Sequence, residues 1–203
     1  GLEKTMIQAQ RQAVRHMDMD KQEEQKARAS AWFKTLRDEI CARFEQIEDD
    51  AVNTPMGENK AGRFDSKKWD REDSRGGQGG GGEMSVMRGG RVFEKVGVNI
   101  STVEGHFPDD FASKIPGAAE NDAKFWASGV SLVAHFRSPH VPPFHFNTRH
   151  IITNKGWFGG GGDMNPIFEV EEDTQAFHAA WKEVCDKHDP SYYPKFSKWA
   201  DEY

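Results

Sequence analysis

Residues 141–166 read VPPFHFNTRHIITNKGWFGGGGDMNP, and the period within this stretch decides the fold. Between Phe144 and Ile152 the side chains fall into two sets: Phe144, Phe146, Thr148 and Ile152, and then His145, Asn147 and Arg149. Successive side chains of a β-strand point to opposite faces, so the spacing predicts a strand with one mostly apolar face. Its other face carries an imidazole, an amide and a guanidinium. Three different hydrogen-bonding heads in a row are unusual on a merely solvated face; they point to a polar stripe facing an enclosed space. Just downstream, Trp157 and Phe158 supply aromatic walls, Gly159–Gly162 adaptable backbone, and Asp163 one carboxylate. Backbone N–H groups in glycine turns can cradle anions, and a carboxylate beside arginines is kept ionised.

The preceding segment has the same period. From Gly129 to Arg137, Val130, Leu132, Ala134 and Phe136 share one face and Ser131, His135 and Arg137 the other. The six residues Ser138 to Pro143 contain three prolines, which suit a turn and cannot extend a central strand. Two alternating segments with a short connection predict an antiparallel pair. Paired, they place Ser131, His135, Arg137, His145, Asn147 and Arg149 on one face. Further upstream, Arg91 to Val103 alternates with β-branched residues, setting Val92, Val96, Val98 and Ile100 against Phe93, Lys95, Gly97, Asn99 and Ser101.

Toward the N-terminus, Trp32/Phe33, Leu36, Ile40, Phe44 and Ile47 recur every three to four residues and predict an amphipathic helix packed on the body. The charged stretch before it, rich in Gln, Arg and Met, is expected to be a looser or partner-facing helix. Ala51 to Lys68 reads as a polar connection. The glycine cluster from Gly76 to Gly82, flanked by Arg71, Arg75 and Arg88, reads as a loop at a site in preference to a flexible linker. At the other end, Asp173-Thr174 predicts an N-cap, with Phe177, Ala180/Trp181, Val184 and His188 as the stripe of the helix that follows. Asp189-Pro190 breaks that helix, and Tyr193-Pro194 opens another. Helices at both ends of a block of long alternating strands predict an α+β fold with a mainly antiparallel sheet. The whole is expected to be one domain over residues 1–203, with a helical segment to about 50, a sheet core from about 84 to 168 and closing helices from about 174.

The segments GGGGEMSVMRGGRVFEKVGVNIS, FWASGVSLVAH, VPPFHFNTR, WFGGGGDMNP and YYPKFSKWADEY, in that order, resemble the oxygen-dependent coproporphyrinogen III oxidase family. The likeness runs from about Trp69 to the last residue. It departs at Gly156, where the family usually has a second Trp, at Gly162 and at Met164-Asn165, where it has Leu-Thr. Phe136 stands where Pro is usual. The resemblance implies a large curved antiparallel sheet covered by helices on both sides, and a symmetric homodimer. Family members run on for about a further third of their length, so the sequence is expected to be incomplete at its C-terminus.

The resemblance further implies oxidative decarboxylation of two propionates of coproporphyrinogen III to vinyl groups, with O2 as co-substrate and no cofactor. A porphyrinogen is electron-rich and can itself reduce O2, leaving the protein to bind, orient and place charge. Carried over to this sequence, the catalytic residues are His145, Arg149 and Asp163. Asp163 accepts from, or deprotonates, a pyrrole N–H; Arg149 holds a propionate or tunes Asp163; His145 is a hydrogen-bond partner or proton relay. Ser131, His135, Arg137, Asn147, Gly160 and Gly161 are the expected substrate-binding residues. The competing view of Asp163 is a turn-capping residue bonded only to nearby backbone. A non-catalytic binder of tetrapyrroles or other polycarboxylates is the alternative function.

A metal site is the other chemistry the histidines suggest, since His135, His140, His145 and His150 lie near Asp163 in sequence. Against it, His145 and His150 alternate to opposite strand faces, and Arg149 would put a cation beside the ion. No metal is expected; His150 is expected to be a satisfied structural residue and His140 a turn residue. With 33 acidic and 27 basic residues the net charge is −6, which disfavours nucleic acid as a partner. Two cysteines, Cys41 and Cys185, make no disulfide framework and fit a reducing compartment. No run approaches a membrane span, so a cytoplasmic location is expected.

Overall fold

A computed structural model describes residues 19–202. Residues 2–18 of the expected N-terminal helix lie outside the described part, whereas from Met19 onward the stretch before Trp32 is continuous with the packed helix and contributes Ala29 to the core. Helix α1, Met19–Asp50, is 32 residues long, about 48 Å at 1.5 Å per residue. Six strands follow: β1 Phe64–Glu72, β2 Gln78–Arg88, β3 Phe93–His106, β4 Lys124–Phe136, β5 Phe144–Ile152 and β6 Gly156–Met164. A short helix α2, Asp109–Ala112, interrupts the β3–β4 connection, and α3, Glu171–Asp186, and α4, Tyr192–Asp201, close the chain. The strands form one sheet in sequence order, with every neighbouring pair antiparallel. The α+β class with an antiparallel sheet is thus as the alternation indicates.

Residues directly opposite in an antiparallel ladder share a face, so the register sorts the whole sheet into two surfaces. One surface is the core. Met87, Val96 and Ala134 line up across β2, β3 and β4 and continue to Phe144 on β5; Val98, Leu132 and Phe146 form the next row. Onto this surface α1 lays Ala29 and Phe33, with Leu36, Ile40, Phe44 and Ile47 packed around them. The Phe44 ring stacks on Phe93 at 4.8 Å between centroids. Full burial of a residue such as Phe33 or Phe93 stabilises the fold by about 1.5–3 kcal/mol. The expected stripe on α1 is the one that packs, except that Trp32 points outward.

Helix α3 meets the same surface. Phe177 stands edge-on to Phe144 and Trp181 lies against Phe146 at 6.3 Å. Among the described residues, α1 and α3 both contact the sheet on this apolar face, whereas the resemblance implied helices on both sides. The opposite surface mixes polar heads with scattered apolar side chains, among them Trp69, Met84, Val86 and Val133, and does not carry the continuous aromatic and aliphatic rows that α1 and α3 cover.

The sheet begins at Phe64, well before the expected start near Met84. Strand β1 escaped the pattern because it is a solvated edge with both faces largely exposed, so it has no apolar alternation. The glycine cluster is a loop only in part: Gly76 and Gly77 lie in the turn made by residues 73–77, while Gly79 to Gly82 lie inside β2. Glycine is required there by close approach: a Cβ at Gly82 would come within 2.7 Å of the Trp69 indole. Helix α3 starts at Glu171, with Val170 at its N-cap and no side-chain cap, so Asp173 is not the cap. Instead Glu171, Glu172 and Asp173 fill the first turn, where negative charge favours the helix dipole.

Candidate functional site

The second surface of the sheet carries the polar heads. One row crosses all six strands as Lys67, Met84, Asn99, Ser131, Asn147 and Gly161. Beside it run Asp65, Val86, Gly97, Val133, His145 and Asp163, and on the other flank Trp69, Gly82, Ser101, Gly129, Arg149 and Gly159. Of the residues singled out from sequence, Ser131, Asn147, Gly161, His145, Asp163 and Arg149 are therefore brought together in three adjacent rows. His135 joins them at the margin: it pairs with Lys95, and its ring lies 5.8 Å from that of His145.

Two of the expected residues stand elsewhere. Gly160 is opposite Thr148, on the core side of β6, because alternation puts neighbouring glycines on opposite faces. Arg137 lies beyond the end of β4, and its Nε donates to the Gly90 carbonyl at the β2–β3 turn. The pairing that the sequence suggested between arginines and Asp163 is accordingly not the one formed. Asp163 accepts from His145, Oδ1 to Nδ1, at 2.7 Å. Arg149 donates from Nη2 to the Asn147 side-chain oxygen at 2.9 Å.

The surroundings of these groups set what they can do. The Asp163 carboxylate is 60% exposed and the His145 ring 34%, so both retain open hydrogen-bonding capacity. A hydrogen bond from the imidazole to one carboxylate oxygen leaves the other free. Arg149 is half-buried, and burial pulls its guanidinium below its ordinary pKa. No carboxylate reaches it within ion-pair distance among the described residues. A guanidinium partly removed from water and lacking a counterion is a strong site for a carboxylate from outside, which it can grip with two parallel N–H donors.

The floor between these heads is smooth. A Cβ built at Gly161 meets nothing within 4 Å, and one at Gly97 would meet only the Asn99 amide at 3.9 Å. A flat ligand could lie close to the backbone there. Strand β3 extends the polar face by Lys95, Gly97, Asn99 and Ser101. Sequence alternation contained that face; what it lacked was the register that sets β3 beside β4. Among the described residues no group of three or more His, Cys, Asp or Glu side chains is arranged around a common point for a metal ion.

His150 lies on the opposite face from His145, beneath α1. Expected to be satisfied, it is instead fully buried with both ring nitrogens lacking a partner among the described residues. It stacks on Phe158 at 4.2 Å and meets the edge of Trp126. Burial, with a smaller contribution from Lys26, lowers its pKa to about 4. Its ring serves as an aromatic filler. His140 fits its expected turn position, its backbone N–H donating to the Ser138 hydroxyl.

Residues 28–203 match the family model described as coproporphyrinogen III oxidase. Among curated proteins, the chain is 55% identical over 174 residues to the oxygen-dependent coproporphyrinogen-III oxidase of Rickettsia bellii (strain RML369-C). That alignment covers 86% of this chain and 59% of the relative. It is 54% identical over 180 residues to the protein of the same name from Rickettsia akari (strain Hartford), covering 89% of this chain and 61% of that one. The Rickettsia rickettsii (strain Sheila Smith) protein of that name is 53% identical over the same length. The chain thus spans about three-fifths of the length of the curated relatives it matches.

Proposed function

The chain belongs to the coproporphyrinogen III oxidase family, and from that premise we propose that the intact protein decarboxylates two propionates of coproporphyrinogen III oxidatively, yielding protoporphyrinogen IX for haem and porphyrin synthesis. The observation that carries this reading is the half-buried Arg149, which has no carboxylate partner among the described residues, beside the Asp163–His145 pair on a polar face that no described helix covers and that has a glycine floor. The proposed substrate offers matching chemistry: carboxylates for the guanidinium and pyrrole N–H donors for the Asp163 carboxylate.

Each cycle balances as one propionate, one O2 and one proton giving one vinyl group, CO2 and hydrogen peroxide. The C–C bond to the carboxylate breaks and its electron pair becomes the vinyl double bond. The ring-attached carbon gives up a hydrogen with two electrons, and O2 takes them together with a proton. Asp163 accepts the pyrrole N–H, which raises electron density on the ring and eases that departure. His145, whose Nδ1 is bonded to Oδ1 of the same carboxylate, orients it and relays the proton. Arg149 and Asn147 fix one carboxylate so that the reacting side chain is held against the face. Ser131 and His135 bind along the same surface.

In this reading O2 is the co-substrate and no metal or organic cofactor takes part. The family resemblance supports a homodimer. Two free cysteines, Cys41 and Cys185, support a reducing cytoplasmic setting, and no described helix is long and apolar enough to cross a membrane. Anaerobic mixing of the intact protein with coproporphyrinogen III, followed by an O2 pulse, tests the proposal. Protoporphyrinogen with CO2 release is the expected result. Tight binding with no O2 uptake would favour a non-catalytic tetrapyrrole binder instead.

A further inference from the structure

The polar row continues past Ser131 onto β3, where Asn99 stands mid-strand between Met84 and Ser131. Asparagine is depleted in strand interiors, and among the described residues no side-chain bond accounts for this one. Its Oδ1 is buried and has no hydrogen-bond partner among the described residues. Its Nδ2, the donor end, lies along the open face beside Gly97, where even an added Cβ would be 3.9 Å away. An amide whose oxygen is sunk and unpaired, and whose N–H2 faces an uncovered floor, is held ready for a ligand and not for the sheet.

We propose that Asn99 is a substrate-binding residue whose carboxamide N–H2 donates to a second carboxylate of the substrate, at the far rim of the site from Asp163; this rests on the function proposed above. Position argues for a carboxylate over a pyrrole. Asn99 is on β3 and Asp163 on β6, three strands apart, about 14 Å at some 4.8 Å per strand. A ring whose N–H cluster lies at Asp163 reaches β3 only with its peripheral side chains, and those that end in hydrogen-bond acceptors are the propionates. Ser131, directly opposite Asn99 on β4, adds a hydroxyl to the same subsite. Two carboxylates held at separate points, one by Arg149 on β5 and one by Asn99 two strands away on β3, would fix the macrocycle's rotation on the face, and so choose which propionate reacts.

The test uses the intact protein and two readouts: turnover of coproporphyrinogen III, and equilibrium binding of coproporphyrin III, the oxidised ring with the same four carboxylates. Asn99→Ala should raise KM and the coproporphyrin Kd about tenfold while kcat stays within about twofold, the pattern of a lost hydrogen bond to a charged group. Asn99→Asp should weaken binding further, by about a hundredfold, because like charges then face each other. Asn99→Ser, too short to reach, should match Ala and serves if Ala folds poorly; melting curves control for folding. Unchanged Kd in Ala and Ser, or wild-type affinity in Asp, overturns the proposal, the second result assigning Asn99 to a pyrrole N–H. Binding by the wild type without turnover would fail the proposed reaction yet still read the Asn99 variants. A wild type that neither binds nor turns over overturns both.

Discussion

Glu48 and Asp163 are both carboxylates set against this sheet, one at each surface, and their surroundings are opposite. Glu48, at the end of α1, is completely buried and accepts four backbone N–H groups: Gly62 at 2.8 Å, Arg91 at 2.5 Å, and Val92 and Phe93 at 2.9 Å each. It clamps the helix to the β2–β3 turn, and Gly90 must be glycine because a Cβ would strike the carboxylate at 2.3 Å. Asp163 is mostly exposed and holds one imidazole. A carboxylate whose lone pairs are all taken by backbone can only hold structure; one with capacity to spare can act on a ligand. Charge type does not separate structural from chemical residues, but remaining valence does.

The largest effect expected from that contrast is on Glu48. Burial alone would raise its pKa, but the four N–H donors outweigh burial and hold it below the ordinary carboxylate value. Glu48→Gln should lower unfolding free energy by about 3–5 kcal/mol, since it removes the charge those donors solvate and turns an N–H2 group toward them. The sign with pH follows from the depressed pKa. The stabilisation is complete above the unfolded value of about 4.3 and is lost as pH falls through the lower folded value, so wild type and Glu48→Gln should converge in acid. Urea melts from pH 7 to pH 3 measure this; a constant gap would show that Glu48 does not act through its charge.

Asp163→Asn should do the reverse, leaving folding intact and cutting kcat. The expected loss is about a hundredfold or more, equivalent to about 2.7 kcal/mol in the barrier. A turn-capping aspartate would tolerate Asn, which keeps its size and can still cap, so near-normal turnover in folded protein would return Asp163 to the structural class beside Glu48.

His150 offers the smallest and sharpest check, as a buried titratable group with neither Glu48's partners nor Asp163's access. Replacing its unpaired ring by Phe should change stability at pH 7 by no more than about 1 kcal/mol. Because burial holds its folded pKa at about 4, below the unfolded 6.5, the unfolded chain takes up a proton that the folded one refuses as pH drops between those values. Wild type should lose stability across that window, and His150→Phe should lose less. Equal slopes would mean that the ring has a hydrogen-bond partner after all.

Much of this was legible along the chain. The alternation in Phe144–Ile152 and Gly129–Arg137 assigned side chains to faces, because strand period is a property of the backbone alone. The α1 stripe was legible for the same reason at helical period. What failed was local inference without an apolar signal. Strand β1 is a solvated edge, and the glycines of β2 have no side chains to alternate, so only their ladder bonds to Trp69, Asp70 and the β3 residues reveal them as strand.

By itself, then, the sequence determined which residues share a face of each strand, which helix face is apolar, and which family the motifs resemble, since periodicity and residue type are carried in one dimension. Tertiary structure alone decided the register between strands, and with it the partners. It set Asp163 on His145 instead of on an arginine, left Arg149 with an amide and no counterion among the described residues, turned Arg137 to the Gly90 carbonyl, sank Glu48 beneath four N–H groups, and laid Asn99 beside Ser131. Pairing across a sheet depends on distances between segments far apart in the chain, and those are fixed only when the core side chains on the opposite surface close-pack under α1.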